Sequence, residues 1–215
     1  MATDSRRLSF IDELIVAADE ALKTLSGAQS AGRALPRATE PNGELGDRER
    51  KLSAALMRVN HSGEVAAQAL YSGQALTARD PRVRDALRAA GEEERDHLAW
   101  CRRRLDALQA RASLLDPLWY AGSFGLGFAS GLAGDRWSLG FLAETEAQVE
   151  RHLDGHLGRL PEGDRESRAV LEQMRADEMR HGESGRALGG RELPWIVRRA
   201  MQAASRVMTT TAFWV

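Results

Sequence analysis

The sequence of 215 residues predicts an all-α fold, and three observations carry that expectation. Apolar residues recur at helical spacing along most of the chain, and no stretch alternates as a strand would. Glu94 with His97, and Glu178 with His181, form two Glu-x-x-His pairs. Residues three apart share a helix face, so each pair can aim a carboxylate and an imidazole at one point. Each pair also has a further glutamate upstream, Glu64 and Glu146, at about the same separation, so the chain reads as two similar helical hairpins. A bundle that buries two metal ions needs two helices with Glu-x-x-His and two with one Glu each.

The elements follow in order. Phe10 to Leu25 is a first amphipathic helix through Ile11, Leu14, Ile15, Ala18 and Leu22. Gly27 to Arg48 holds Pro36, Pro41, Gly43 and Gly46 and reads as a long loop or mobile lid. Arg50 to Ala78 is a long helix carrying Glu64. Asp80-Pro81 restarts the helix, with Asp80 as cap and Pro81 in the first turn, and the run continues to about Ala112 with Glu94 and His97. Pro117 to Gly134 has no charged residue and many glycines, so a short helix buried in the bundle or lying at a membrane interface fits better than a span. Asp135 to Leu157 carries Glu146, and Asp164 to Leu188 carries Glu178 and His181 before Gly189-Gly190 ends it. The tail, Pro194 to Val215, mixes Trp195, Ile196, Met201, Val207, Met208, Phe213 and Trp214 with Arg198, Arg199 and Arg206. It reads either as a helix in the membrane interface or as a closing helix on the bundle. The chain divides into an N-terminal helix and loop, 1–49, and a metal-binding helical domain, 50–215.

Composition narrows the function. A net charge of −1 at pH 7 argues against general nucleic-acid binding. Cys101 stands alone, so no internal disulfide forms and a reducing compartment is expected. The first ten residues lack the apolar core of a secretory leader.

The six candidate ligands are Glu64, Glu94, His97, Glu146, Glu178 and His181. Carboxylates and imidazoles without thiolates suit iron or manganese. Glu94 and Glu178 are the expected bridges, each sharing a helix face with a histidine, and Glu64 and Glu146 the terminal ligands. Each histidine should donate its outer N–H to an acceptor, with Asp96 and Asp177 as candidates. His61 is expected beside the centre or facing substrate. His152 and His156 read as a solvated polar stripe, and Cys101 as a small buried residue. Tyr120, Phe124 and Phe128 form an aromatic stripe that is either core or a surface for bilayer, partner or substrate tail. Ser123, Gly127 and Gly131 form a small-residue stripe beside it.

These residues also carry a resemblance. Arg58-Val59-Asn60-His61-Ser62-Gly63-Glu64, Glu93-Glu94-Arg95-Asp96-His97, Thr145-Glu146, Asp177-Glu178-Met179-Arg180-His181-Gly182 and the late Val207-Met208-Thr209-Thr210-Thr211 run resemble the demethoxyubiquinone hydroxylase family of ubiquinone biosynthesis, from about Leu52 onward. The resemblance implies a ferritin-like helical bundle with a buried di-iron carboxylate centre, two Fe held by the six residues above. It implies O₂-dependent hydroxylation of 2-polyprenyl-3-methyl-6-methoxy-1,4-benzoquinol. Electrons would come from a reductase, NADH or the quinol, and other ubiquinone-biosynthesis proteins are possible partners. It further implies a peripheral membrane protein in contact with lipid at the cytoplasmic face of the inner membrane. The competing expectations are another di-iron protein, for iron storage, peroxide scavenging or desaturation, and a non-enzymatic membrane-surface adaptor.

Overall fold

The computed structural model describes residues 9–215. The expectation that the first ten residues lack a leader core falls, for residues 1–8, outside the described residues. The described chain is all-helical: α1 (Phe10–Ser26), α2 (Asp47–Thr77), α3 (Pro81–Ala107), α4 (Asp116–Leu132), α5 (Asp135–Leu157), α6 (Arg165–Ala187) and α7 (Trp195–Trp214). The hairpins α2–α3 and α5–α6 meet through α3 against α6 and α2 against α5, while α4 and α7 pack on α2. This is a ferritin-like arrangement, with the two Glu-x-x-His helices face to face.

Helix starts follow local chemistry. Ser9 and Asp12 form a capping box on α1. The Asp80 carboxylate accepts the Arg82 N–H at 2.9 Å with Pro81 behind it. Asp164 caps α6 by accepting the Ser167 N–H at 3.2 Å. One boundary differs from expectation: α3 stops at Ala107, not near Ala112. Gln109 takes a left-handed φ of 57°, and the Ala110 N–H returns to the Leu105 carbonyl at 2.9 Å. That Schellman-type closure normally signals itself by a glycine, and here it has none.

The core between the hairpins holds Leu56, Met57, Trp100, Leu105, Leu153, Leu171 and Met174, all essentially sealed from solvent. Fully burying each large aliphatic side chain contributes about 1.5–3 kcal/mol. Cys101 is buried in the same cluster, as expected. Helix α4 lies almost backbone to backbone on α2. A Cβ on Gly127 would collide with the Leu70 carbonyl, and one on Gly73 with the Phe124 carbonyl. The small-residue stripe is thus a packing face. The neighbouring aromatic stripe belongs with it: Tyr120 is buried and Phe124 packs on Val65, Ala69 and Leu98. Of the two readings left open for that stripe, core packing holds for Tyr120 and Phe124, which the close α2–α4 approach draws inward. The exposed face of α4 carries Leu118, Leu126 and Leu132 instead.

The segment expected as a long loop or mobile lid is a long loop, docked on the bundle. Ala31, Leu35 and Leu45 pack on the core. Gly43 N–H donates to the Gly163 carbonyl at 3.0 Å, and Asn42 accepts the Glu166 N–H at 2.9 Å. Residues 27–46 therefore form a strap across α3 and α6, fixed by apolar contacts and backbone hydrogen bonds.

Candidate metal centre

Helices α2, α3, α5 and α6 bring the six residues into the bundle interior. Glu64, Glu94, His97, Glu146, Glu178 and His181 are all at most 7% exposed. Their donor atoms fall into two quartets, Glu64–Glu94–His97–Glu178 and Glu94–Glu146–Glu178–His181. Within each quartet the donor atoms lie within 4.8 Å of one another. Glu94 and Glu178 belong to both, the place a bridging carboxylate takes. His97 Nδ1 lies 2.9 Å from Glu94 and 3.3 Å from Glu178. His181 Nδ1 lies 3.2 Å from Glu94 and 3.4 Å from Glu178. Both rings thus turn Nδ1 inward and Nε2 outward.

The electrostatics suit cations. Burial, reinforced by the Glu94 and Glu178 charges, pushes the Glu64 carboxyl well above the usual range. Burial and the Glu178 charge do the same to Glu146. Burial opposes ionisation of Glu94 too, but its two histidine neighbours outweigh it and hold that carboxyl low. Burial likewise opposes a charged His181, yet hydrogen bonds and charge from Glu178 and Glu94 raise it to about 10. His97 is raised for the same kind of reason, against its burial and chiefly by the Glu94 charge. Protons on Glu64, Glu146, His97 and His181 therefore do what two divalent ions would do, and loading such a site releases them. Both oxygens of Glu146 are buried without a hydrogen-bond partner. That arrangement costs about 1–3 kcal/mol per unpaired polar group, which a coordinated ion would offset. The donor set, oxygen and nitrogen only, fits iron or manganese.

Around this centre the expectations divide. Asp177 is the outer acceptor of His97: its Oδ2 lies 2.9 Å from Nε2. Asp96 touches neither histidine and binds Arg33 instead. The residue opposite His181 Nε2 is Glu93, at 3.5 Å and without hydrogen-bond geometry. His61 is not on the neighbouring cavity wall, and its polar contact is with Asp116, not with a ligand. Its Nδ1 lies 3.1 Å from Asp116 Oδ2, and Ser62 donates to Asp116 Oδ1 at 2.6 Å. This buried trio pins the start of α4 to α2. The solvated reading of His152 and His156 is corrected: His156 is 4% exposed, its Nδ1 lies 2.9 Å from Asn60 Oδ1, and the two rings are 3.9 Å apart. His156 faces α2, and half-buried His152 lines the cavity that adjoins the centre.

Sequence reasoning missed Glu93, Arg33 and Asp116. Glu93 had a signal: it precedes Glu94 as Asp177 precedes Glu178. Arg33 and Asp116 had none, since each acts on residues more than fifty positions away.

A cavity of about 270 Å³ adjoins the centre. Glu64 forms part of its wall, with Leu70, Trp119, Phe141, Met201 and Met208 among its apolar neighbours. Exposed Gly122 and Leu126 stand at its rim. Asn60, Thr145, Gln148 and His152 supply the polar atoms.

Comparison with known proteins agrees with this architecture. The family model described as ubiquinone biosynthesis protein COQ7 matches residues 51–212. The chain is 54% identical to the 3-demethoxyubiquinol 3-hydroxylase of Nitrosospira multiformis, over 95% of this chain and 99% of that protein. It is 57% identical to the protein of the same name from Cupriavidus pinatubonensis, over 94% and 99% respectively. For the Paraburkholderia xenovorans protein of that name, identity is 54% over 96% and 100%. By the span of the family match and these identities, the chain belongs to the COQ7 family of ubiquinone biosynthesis proteins.

Proposed function

We propose that this chain is a 3-demethoxyubiquinol 3-hydroxylase, a monooxygenase whose residues Glu64, Glu94, His97, Glu146, Glu178 and His181 hold two irons. The observation that carries the reading is the apolar cavity ending on Glu64, beside two donor quartets that share Glu94 and Glu178. Bound iron would supply activation of O₂. The chain supplies the rest. Leu70, Phe141, Met201 and Met208 exclude water from the ring of a benzoquinol. Asn60, Gln148 and His152 are placed to hold the quinol oxygens, and the His152 Nε2 is buried without a partner. Residues 50–215 make up the catalytic domain, and 1–49 an added helix and strap.

The cavity rim lies between α4 and α7, so a polyprenyl tail would leave there. Among the described residues no helix is long and apolar enough to cross a membrane. Exposed Leu118, Leu126 and Leu132 on α4, with Trp195, Ile196, Val207 and Trp214 on α7, form the face that would meet lipid. Arg199 and Arg206 on the same side of α7 suit anionic headgroups. We place the protein at the cytoplasmic face of the inner membrane, with O₂ and an electron donor as co-reactants.

The test is anaerobic loading with ferrous iron, then turnover of a short-tailed demethoxyquinol under ¹⁸O₂. Two irons per chain and one labelled oxygen in the product are expected. A protein that binds no iron, or that binds it and leaves the quinol unchanged, would refute the reading. In parallel, Leu118→Glu with Trp195→Glu should release the protein from anionic vesicles while leaving iron content intact; unchanged vesicle binding would remove the lipid-facing assignment.

A further inference from the structure

The strap before α2 lies outside the matched family span of 51–212, yet it reaches the outer side of both histidine helices. The Gly32 N–H donates to Asp96 Oδ1 at 2.6 Å, and the Arg33 N–H to the same oxygen at 3.3 Å. The Arg33 side chain then forks. Its Nε donates to Asp96 Oδ2 at 2.5 Å, and its Nη1 to Asp177 Oδ2 at 2.9 Å. Nη1 is also 3.8 Å from Glu93. The guanidinium stacks 4.8 Å above the Trp100 ring, and that ring centroid lies 5.4 Å from His97.

Asp177 Oδ2 is the atom that faces His97 Nε2, so Arg33 and His97 share one oxygen. The other oxygen accepts from Arg180 at 2.6 Å and Gln173 at 2.9 Å. Gln173 sits on α6 with Asp177, while Arg180 also donates to Glu93 on α3 at 2.9 Å. Among the described residues Arg33 is the one that links Asp177 to Asp96, and it meets the oxygen of Asp177 that faces His97.

We propose that Arg33 is a positioning residue of the metal centre, supplied by the N-terminal strap: it fixes Asp177 against His97 and so sets the direction of His97 Nδ1. The proposal rests on the metal reading above. A rigid fork is what the job needs, since two donors must meet carboxylates on different helices at once. A lysine offers charge but a single ammonium. Outer partners of a ligating histidine fix its tautomer and orientation, and their loss typically weakens metal binding about 10–100-fold.

The experiment uses the full chain loaded with Co²⁺, whose absorption reports ligand geometry, and follows metal release to a chelator. Arg33→Gln should speed release about 10–100-fold and shift the cobalt bands. Arg33→Lys should give a smaller change of the same kind. Arg165→Gln is the control: Arg165 holds the same strap at its other end, through the Pro41 carbonyl at 2.8 Å and Glu40 at 3.1 Å. It should leave bands and release as in the unmodified chain. Should Arg33→Gln fail to fold, the cobalt bands of Arg33→Lys decide. Unshifted bands in the Arg33 variants overturn the proposal. So does an Arg165→Gln variant that loses metal equally, because docking of the strap would then be the cause. An unmodified chain that takes up neither Co²⁺ nor Fe²⁺ would instead refute the metal reading itself.

Discussion

His97 and His181 hold equivalent places in the two hairpins, and their surroundings differ. The outer nitrogen of His97 meets Asp177, a fully buried carboxylate that also contacts Arg33, Arg180 and Gln173. The outer nitrogen of His181 has no hydrogen bond, and the nearest carboxylate, Glu93, is 37% exposed. A small cavity of about 160 Å³, walled by Ala86, Ala90, Leu142 and Gly185, lies on the His181 side. A repeat in sequence therefore fixes the inner ligand pattern and leaves the outer support free to diverge. The strap reaches the outer side of His97, and that is the histidine whose outer nitrogen is hydrogen-bonded.

The largest expected effect tests the part the two halves share. Glu94→Ala and Glu178→Ala each delete a carboxylate common to both quartets. Both should abolish metal uptake and turnover, with helix content by circular dichroism unchanged, because Ala is a good helix former. Retention of full activity in either would remove its bridging assignment, and unequal damage would show that the inner pattern is asymmetric too.

The next test separates the outer supports. Asp177→Asn should weaken metal binding about 10–100-fold, measured by competition with a chelator. Glu93→Gln should cost only a few-fold, since its carboxylate is half-solvated and makes no hydrogen bond to the ring. Equal losses would mean that the observed difference has no energetic weight.

Acid should act on the second hairpin first. Burial lowers the pKa of His156 to about 2 and of His152 to about 4, helped by Arg159 and, for His156, by His152. In the unfolded chain both sit near ~6.5. Between those values the unfolded state binds more protons than the folded one, so stability is complete above about pH 6.5 and declines as the pH falls. Each group contributes up to about 1.4 kcal/mol per pH unit. Hydrogen exchange at falling pH should open α5 before α3, and His156→Gln should flatten the dependence. An α5 that stays closed at pH 5 would contradict this.

The smallest effect concerns α4, which locks the first hairpin. Gly127→Ala forces a Cβ into the Leu70 carbonyl and should cost about 1–3 kcal/mol in denaturant unfolding. Gly125→Ala, with open space at its Cβ, should stabilise by about 0.5–1 kcal/mol through helix propensity. A neutral Gly127→Ala would show that α4 sits farther from α2 than described.

Much of this was legible beforehand because it is local. Asp80-Pro81, Asp164 and Gly189-Gly190 mark helix ends through backbone chemistry within a turn. Glu-x-x-His is visible because three residues of helix bring two side chains to one face. The end of α3 was not legible, since Gln109 takes a left-handed conformation without the glycine that usually announces it. Which apolar side of α4 turns inward was left open for another reason. Its aromatic and leucine faces are both apolar, and only the close contact of Gly127 with Leu70 selects which turns inward.

The sequence by itself determined the helices, the six inward donors and their division between two hairpins, because helical periodicity converts spacing directly into direction. Tertiary structure alone decided the long-range polar contacts around them. Arg33 meets Asp177 across 144 positions, Asn60 meets His156 across 96, and Ser62 meets Asp116 across 54. No periodicity links such pairs; they exist because helix packing brings distant side chains within hydrogen-bond reach, and buried polar groups must find partners there.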